Sequence, residues 1–553
     1  MLLSRTDIFS KTIHDGSEIA DDANTGYTVS SNSSLTPENF NNEEDVEKVG
    51  SLAKDVQYMY TEESNALSDG LDQECDASFW NRLASKLNAE TNGIEPITGE
   101  EKTDDSVLDA AVMWFSANMV VASFALGVVG PIAFGLNFGA SSLTIIFFNL
   151  LGLVSVAFFS VFGAEFGLRQ MVLSRFLLGN VTARIFAFIN IIACAGWGIV
   201  NTIAAAQLLH IVNPGSHQCP PWAGCVIIIG CTILVTFFGY RVIHFYEKYS
   251  WIPNFTVFLV IIAQLTRSGN FSNGSWGGGA NTAAGVLSFG CGIFGFAAGW
   301  TTYASDYTVY LKKSTNKYKI FFYLCAGLAF PLIFTQILGA ACARGTFNST
   351  VWNKYYQEDS VGGLVFAILA IDSLGGFGQF CCVLLSLSTV SNNIPNMYSI
   401  ALSTQALWAP LAKVPRVVWT LLGNVAVLAI SIPAYYRFSG FLTNFMDSIG
   451  YYLAIYIAVA LSEHFYWRKG FKGYNIEDWN RNDKLPIGIA GTTAFALSII
   501  VVALGMSQTY WTGNIGRLIG TKGGGDIGFE LAFACSLLIY NLVRPLELKY
   551  FGR

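Results

Sequence analysis

DAAVMWFSANMVVASFALGVVGPIAFGL, residues 109–136, is an apolar run long enough to cross a bilayer, interrupted by Gly127, Gly130 and Pro131. About twenty such residues suffice for one crossing, and Gly and Pro inside the run weaken the helix that would make it. A second run, 284–310, carries Gly290, Gly292, Gly295 and Gly299 ahead of Trp300. Interrupted helices at corresponding places in two halves of a chain mark the midplane substrate site of many secondary transporters. Small residues also serve close helix packing. The pairing of the two runs favours the broken-helix reading, with Gly127, Gly130, Pro131 and Gly295 as the break positions.

Working outward, further apolar runs lie near 140–166, 183–212, 221–240, 250–267, 319–343, 377–408, 415–435, 441–463, 486–507 and 528–545. With the first two they make twelve spans, so the chain reads as an all-α integral membrane protein. The stretch 361–374 is apolar but too short to cross, and its flanking Gly pairs predict a hairpin or short helix. Only 13 % of the 553 residues are charged, about half the share of a soluble domain. Residues 1–107 hold 23 acids and 7 bases, whereas the remainder holds 15 acids and 25 bases. The chain therefore divides into an acidic, largely disordered tail (1–107), with a short surface helix near 80–87, a transporter domain (108–545) and a short C-terminus (546–553). With the N-terminus inside, 19 Lys and Arg beyond the tail fall in cytoplasmic segments and 6 outside. That bias supports twelve spans with both termini cytoplasmic. Nucleic acid is excluded as a partner, because the tail is acidic and the bases lie between apolar spans. The 11 Cys include no CxxC pair and read as small buried residues, with Cys219 the exposed one and Cys342 a conceivable partner.

Two spans carry unusual polarity. In the third, Asn190, Cys194, Trp197 and Asn201 share one helical face. In the eighth, Ser388-Thr-Val-Ser-Asn392-Asn393-Ile-Pro395-Asn396 puts three amides and a proline in one crossing. Such groups are costly in lipid unless they face protein, ligand or water. Interhelical hydrogen bonding is the plainer use of a single Asn, whereas three around a proline point to a site. Trp offers a flat face for ring stacking, and Asn offers a donor and an acceptor side by side. Together, with no intramembrane Arg or Lys waiting for an anion, they suit a neutral, flat, hydrogen-bonding heterocycle.

At these residues the chain resembles the fungal purine-cytosine permeases of the nucleobase cation symporter family. The resemblance rests on VFGAEFGLRQMVLSRFLLGNVTARIF (161–186), GWGIVN (196–201), GFAAGWTTYASDYTVY (295–310), SNNIPNMY (391–398) and FMDSIGYYLAIYIA (445–458), and it runs from about residue 80 to Arg553. It implies a LeuT-type fold, twelve transmembrane helices as two inverted five-helix repeats plus two. It further implies proton-coupled symport of cytosine, adenine, guanine and hypoxanthine into the cell across the plasma membrane, with no cofactor beyond the proton gradient. Carried over by position, it places Ser116, Trp197, Asn201, Gly299, Trp300, Asn392, Asn393 and Pro395 in the substrate pocket. Trp197 and Trp300 would then sandwich the base, and Asn396 would shape the eighth span.

Glu165, Asp306, Asp447 and Glu463 are the acids within or bordering spans, and any of them could serve coupling. Glu165 and Asp306 could equally pair with Arg169 and Lys312, and His464 reads as interfacial. Two rival functions stand beside the main one. The first is a paralogue of the same fold carrying vitamin B6, thiamine or uracil. The second is a non-transporting nucleobase receptor that signals through its tail. The tail also fits contact with trafficking machinery through Lys11, Lys48 or Lys54. An enzyme is disfavoured, because no span carries a metal cluster or nucleophile elbow.

Overall fold

The computed structural model describes residues 93–102, 106–215, 217–237, 246–520 and 523–553. The order of the acidic tail before residue 93, its helix near 80–87 and Lys11, Lys48 and Lys54 lie outside the described residues. Fifteen α-helices of nine residues or more account for nearly all the regular structure among the described residues. They are α1 (Val107–Asn118), α2 (Val121–Ala133), α3 (Phe138–Phe166), α4 (Gln170–Leu178), α5 (Asn180–Ile211), α6 (Pro221–Phe237), α7 (Trp251–Ser268) and α8 (Ala280–Ala298). The rest are α9 (Lys317–Gly345), α10 (Thr350–Leu369), α11 (Gly376–Leu407), α12 (Arg416–Ala434), α13 (Phe438–Ser462), α14 (Ile489–Gly505) and α15 (Gly528–Phe551).

Among the described residues eight helices are long and apolar enough to cross a membrane, nine when α1 and α2 count as one bent span. The other expected crossings coincide with α6 and α14, which are shorter, and with α11, whose 32 residues carry the polar run. Segment 361–374 forms the buried second half of α10, after a kink at Asp359 and Ser360, and an irregular turn that follows it.

The first span breaks in a different place from the one its composition suggests. α2 runs unbroken through Gly127, Gly130 and Pro131, while α1 and α2 meet at a 55° bend across Met119 and Val120. Val120 is extended, at φ −135° and ψ 160°. The glycines serve packing instead. A Cβ on Gly127 would overlap the carbonyl oxygen of Gln336 on α9, and one on Gly130 would lie 2.7 Å from the Phe289 ring. The second interrupted span behaves alike. α8 is continuous through Gly295, where a Cβ would collide with the Met446 carbonyl on α13. The break follows at Gly299–Tyr307, a tighter 3-10 segment in which Tyr303 leaves helical geometry at φ −144°.

The two breaks sit inside one bundle. α11 lies along α5, α9 packs on α2 and α3, and α8 packs between α3 and α13. Ahead of α1, the approach segment tucks under the end of α3. Ile97 donates to the Gly167 carbonyl at 2.9 Å, and Gly167 has φ +66° with no room for a Cβ beside Ile97. Lys102 donates to the Ala164 carbonyl at 2.6 Å, and burial, with Lys313 nearby, pushes its ammonium down to about 8.

At one end of α13, Glu463 is a buried ionic node. It meets Arg544 through two 3.1 Å bonds, Arg468 at 3.1 Å and the Tyr540 hydroxyl at 2.9 Å. His464 beside it is buried, bonded to the Tyr474 hydroxyl at 2.9 Å among aromatic rings. Glu165 pairs with Lys317 at 2.8 Å and Lys313 at 3.8 Å, not with Arg169 or Lys312. Arg169 instead donates to the Asp306 backbone carbonyl at 2.8 Å. Cys219 and Cys342 are both free thiols.

Candidate functional site

A helix break exposes backbone groups that no water in a bilayer can satisfy. In this chain the polar run of α11 satisfies them. The Ser388 hydroxyl accepts from the Val121 N–H at 3.2 Å, the Ser391 hydroxyl donates to the Ser116 carbonyl at 3.2 Å, and the Asn392 amide donates to the Ala117 carbonyl. Asn118 donates back to the Trp114 carbonyl at 2.8 Å and accepts the Trp300 indole N–H at 3.1 Å, which ties the first break to the second. The second break is held through its side chains, by α11 and α5. Tyr303 donates to Asn396 at 2.9 Å and Thr302 to Asn190 at 2.6 Å.

Between the breaks lies a cluster of amides. Asn201 Nδ2 donates to Asn392 Oδ1 at 2.7 Å and to Asn393 Oδ1 at 2.9 Å. Asn396 Nδ2 donates to the Asn392 carbonyl at 2.8 Å, in the turn where Pro395 supplies no backbone donor. Most of these amide groups are therefore engaged by the protein. One is not: Asn393 is fully buried, and its Nδ2 has no hydrogen-bond partner. A buried donor left unsatisfied costs about 1–3 kcal/mol, so this position is suited to an acceptor that the protein does not itself supply.

The indoles frame the same region from different neighbours. Trp197 meets Phe296 and Phe445 edge-on, with ring centroids 5.0 and 5.4 Å away. Trp300 meets Trp114 at 4.9 Å and Tyr303 at 5.5 Å, also edge-on. The two are linked through Gly299, where a Cβ would come within 2.8 Å of the Trp197 ring. Only a residue without a side chain lets that indole lie on the second break, one residue before Trp300. Ser116 is the outlier of the expected set. Its hydroxyl faces Ser250, 3.3 Å away, while its carbonyl belongs to the break.

Sequence reading passed over Trp114, Asn118 and Tyr303. A signal for the first two was present, since Trp114-Phe-Ser-Ala-Asn118 and Trp197-Gly-Ile-Val-Asn201 repeat one spacing. Trp and Asn four residues apart share a helical face. No group of His, Cys, Asp and Glu that could hold a metal occurs among the described residues.

Residues 96–513 match the family of permeases for cytosine/purines, uracil, thiamine and allantoin. Purine-cytosine permease FCY2 of Saccharomyces cerevisiae is 65 % identical over 477 residues, 86 % of this chain and 89 % of that one. Purine-cytosine permease fcyB of Emericella nidulans is 47 % identical over 473 residues, covering 85 % and 91 %. Among solved structures, the nucleobase-cation-symport-1 family transporter Mhp1, closed with bromovinylhydantoin bound, superposes with a TM-score of 0.64. That likeness covers 83 % of this chain and 96 % of Mhp1 at 14 % identity, so it speaks for the fold alone. The fold is the LeuT type, in which the two interrupted spans open the two five-helix repeats.

Proposed function

The chain belongs to the permease family for cytosine/purines, uracil, thiamine and allantoin, and from that premise we propose that it imports cytosine and the purine bases adenine, guanine and hypoxanthine, driven by protons. It is a multi-pass membrane transporter of nucleobases and not an enzyme. The plasma membrane as its location, both termini on the cytoplasmic side and the tail as a contact for trafficking machinery belong to the proposal.

The observation that carries the reading is the unpartnered, buried Asn393 amide in the cluster it forms with Asn201 and Asn392. A carbonyl oxygen or bare ring nitrogen of a nucleobase supplies the acceptor that this donor lacks, and the indoles supply apolar walls for its faces. Neither cytosine nor a purine carries charge at neutral pH, which fits a site built from amides. Alternating access then follows from the two breaks. Segments on either side of a break move as separate rigid pieces around a fixed site.

Labelled cytosine and adenine uptake by cells lacking their own carriers, measured with and without a pH gradient, tests the proposal. Uptake that rises with an inward proton gradient is expected; gradient-independent uptake would sink the coupling and no uptake would sink the function. Trp300→Ala removes the Trp114 contact and the bond to Asn118 that joins the breaks. It is expected to abolish cytosine uptake with protein still at the surface, and parental uptake would refute its place in the site. Competition of cytosine uptake by pyridoxine, thiamine and uracil separates the proposed cargo from that of a paralogue sharing the fold.

A further inference from the structure

A second buried polar cluster lies away from the amides, on the side that the charge bias assigns to the exterior. Asp447 on α13 and Asp526 in the loop between α14 and α15 are each at least 98 % buried. One amide group bridges them, since Gln508 Nε2 lies 2.9 Å from Asp447 Oδ2 and 3.0 Å from Asp526 Oδ2. The same nitrogen is 2.7 Å from the Tyr451 hydroxyl, whose proton points to Asp526. Asp526 also accepts from the N–H groups of Ser507 at 2.8 Å and Gly528 at 2.9 Å. Gln508 has two amide hydrogens for three oxygens. Its own Oε1, in a residue 93 % buried, has no partner, and neither does Oε2 of Glu530 at the start of α15.

The other groups facing the cluster leave the charge unbalanced. α8 contributes Cys291, whose thiol points to the Asp447 carbonyl, and Ser288, which accepts the Asp526 N–H at 3.0 Å. Arg517 in the same loop is exposed. Among the described residues no Lys, Arg or His pairs with Asp447, Asp526 or Glu530. Oxygens outnumber hydrogens here, and no cation stands by. Two ionised carboxylates turned on one amide with no cation beside them repel each other.

We propose that Asp447 and Asp526, bridged by Gln508, form the proton-binding site that controls docking of α13 over the substrate site. This rests on the transport reading and names the groups that would answer the gradient. The proton comes from the external solution and binds one carboxylate, and no other bond changes. It supplies a hydrogen that the bare oxygens lack and removes the repulsion between α13 and the α14–α15 loop.

α13 is placed to convey that change. Two residues before Asp447, Phe445 lies edge-on to Trp197 and fills the space beside Gly196, and the Met446 carbonyl sits against Gly295. Such close backbone contact makes docking all-or-none. With both carboxylates ionised the helix stands off, and with one proton bound it closes on the indole.

The test uses the full chain in cells without their own carriers, following labelled cytosine uptake from acidic to alkaline external pH. The parent is expected to lose uptake about tenfold per pH unit above the cluster's midpoint. Asp447→Asn is expected to flatten the profile, while Asp447→Glu restores a pH-dependent one with a displaced midpoint. Gln508→Met leaves the carboxylates without their bridging donor and is expected to raise the midpoint. It carries the test if Asp447→Asn fails to reach the surface. A parental profile in Asp447→Asn at the surface, an equal loss at every pH, or an unmoved midpoint in Gln508→Met overturns the inference. A parent that takes up cytosine equally at every pH also overturns it and leaves transport standing, whereas no uptake overturns both.

Discussion

Asn393→Ala is expected to lower cytosine uptake by about 10- to 100-fold without reducing the amount of protein at the cell surface. The fold survives because Asn201 keeps its bond to Asn392 Oδ1 at 2.7 Å, and Asn392 keeps its bond to the first break. What disappears is the one amide donor in the cluster that the protein leaves unanswered. A site built to hydrogen-bond its substrate discriminates strongly once that bond is lost. The comparison with Asn396→Ala sharpens the result. Asn396 holds Tyr303 at 2.9 Å and its own helix at 2.8 Å, so its loss disturbs the scaffold. Surface level should fall for Asn396→Ala and hold for Asn393→Ala. Near-parental uptake by Asn393→Ala would remove the basis of the pocket assignment.

Glu463→Ala is expected to deplete folded protein rather than alter substrate handling. The carboxylate is 99 % buried and answers Arg544, Arg468 and Tyr540 together. Removing one partner of a buried ion pair costs about 3–5 kcal/mol, a large share of the ~5–15 kcal/mol that holds a typical domain. Here Arg544, itself 4 % exposed, would keep only a 3.7 Å contact with Glu547 and a 3.1 Å bond to the Arg553 carbonyl. Thermal unfolding in detergent and surface abundance both read the effect. A parental melting temperature would mean that α13 and α15 are held by apolar packing and that the node is incidental.

The spans were legible because crossing a bilayer imposes a length and an apolar composition that no distant residue can supply. The two long polar helices were legible for the converse reason, since amides in a span need an explanation on the spot. The breaks were harder to place. Gly127, Gly130, Pro131 and Gly295 carry the local signature of a weak helix, yet each sits in continuous helix and answers a close neighbour. The real interruption at Met119–Val120 has neither Gly nor Pro. It is stabilised by Ser388, Ser391 and Asn392, roughly 270 residues away in the chain, a distance over which no local pattern speaks. The amide cluster was foreseen as a set, but its division of labour was not. That Asn392 serves the backbone while Asn393 keeps a free donor depends on which face of α11 meets which carbonyl.

The hydroxyl of Ser388 on the Val121 N–H has a consequence for the transport cycle. It is a latch made by one small side chain, so the hinge angle of the first crossing can be retuned without rebuilding the helix. Deleting that hydroxyl alone, as in Ser388→Ala, would bias the carrier's resting orientation. Influx and efflux half-saturation concentrations would then shift in opposite directions, with the preference for one base over another left alone.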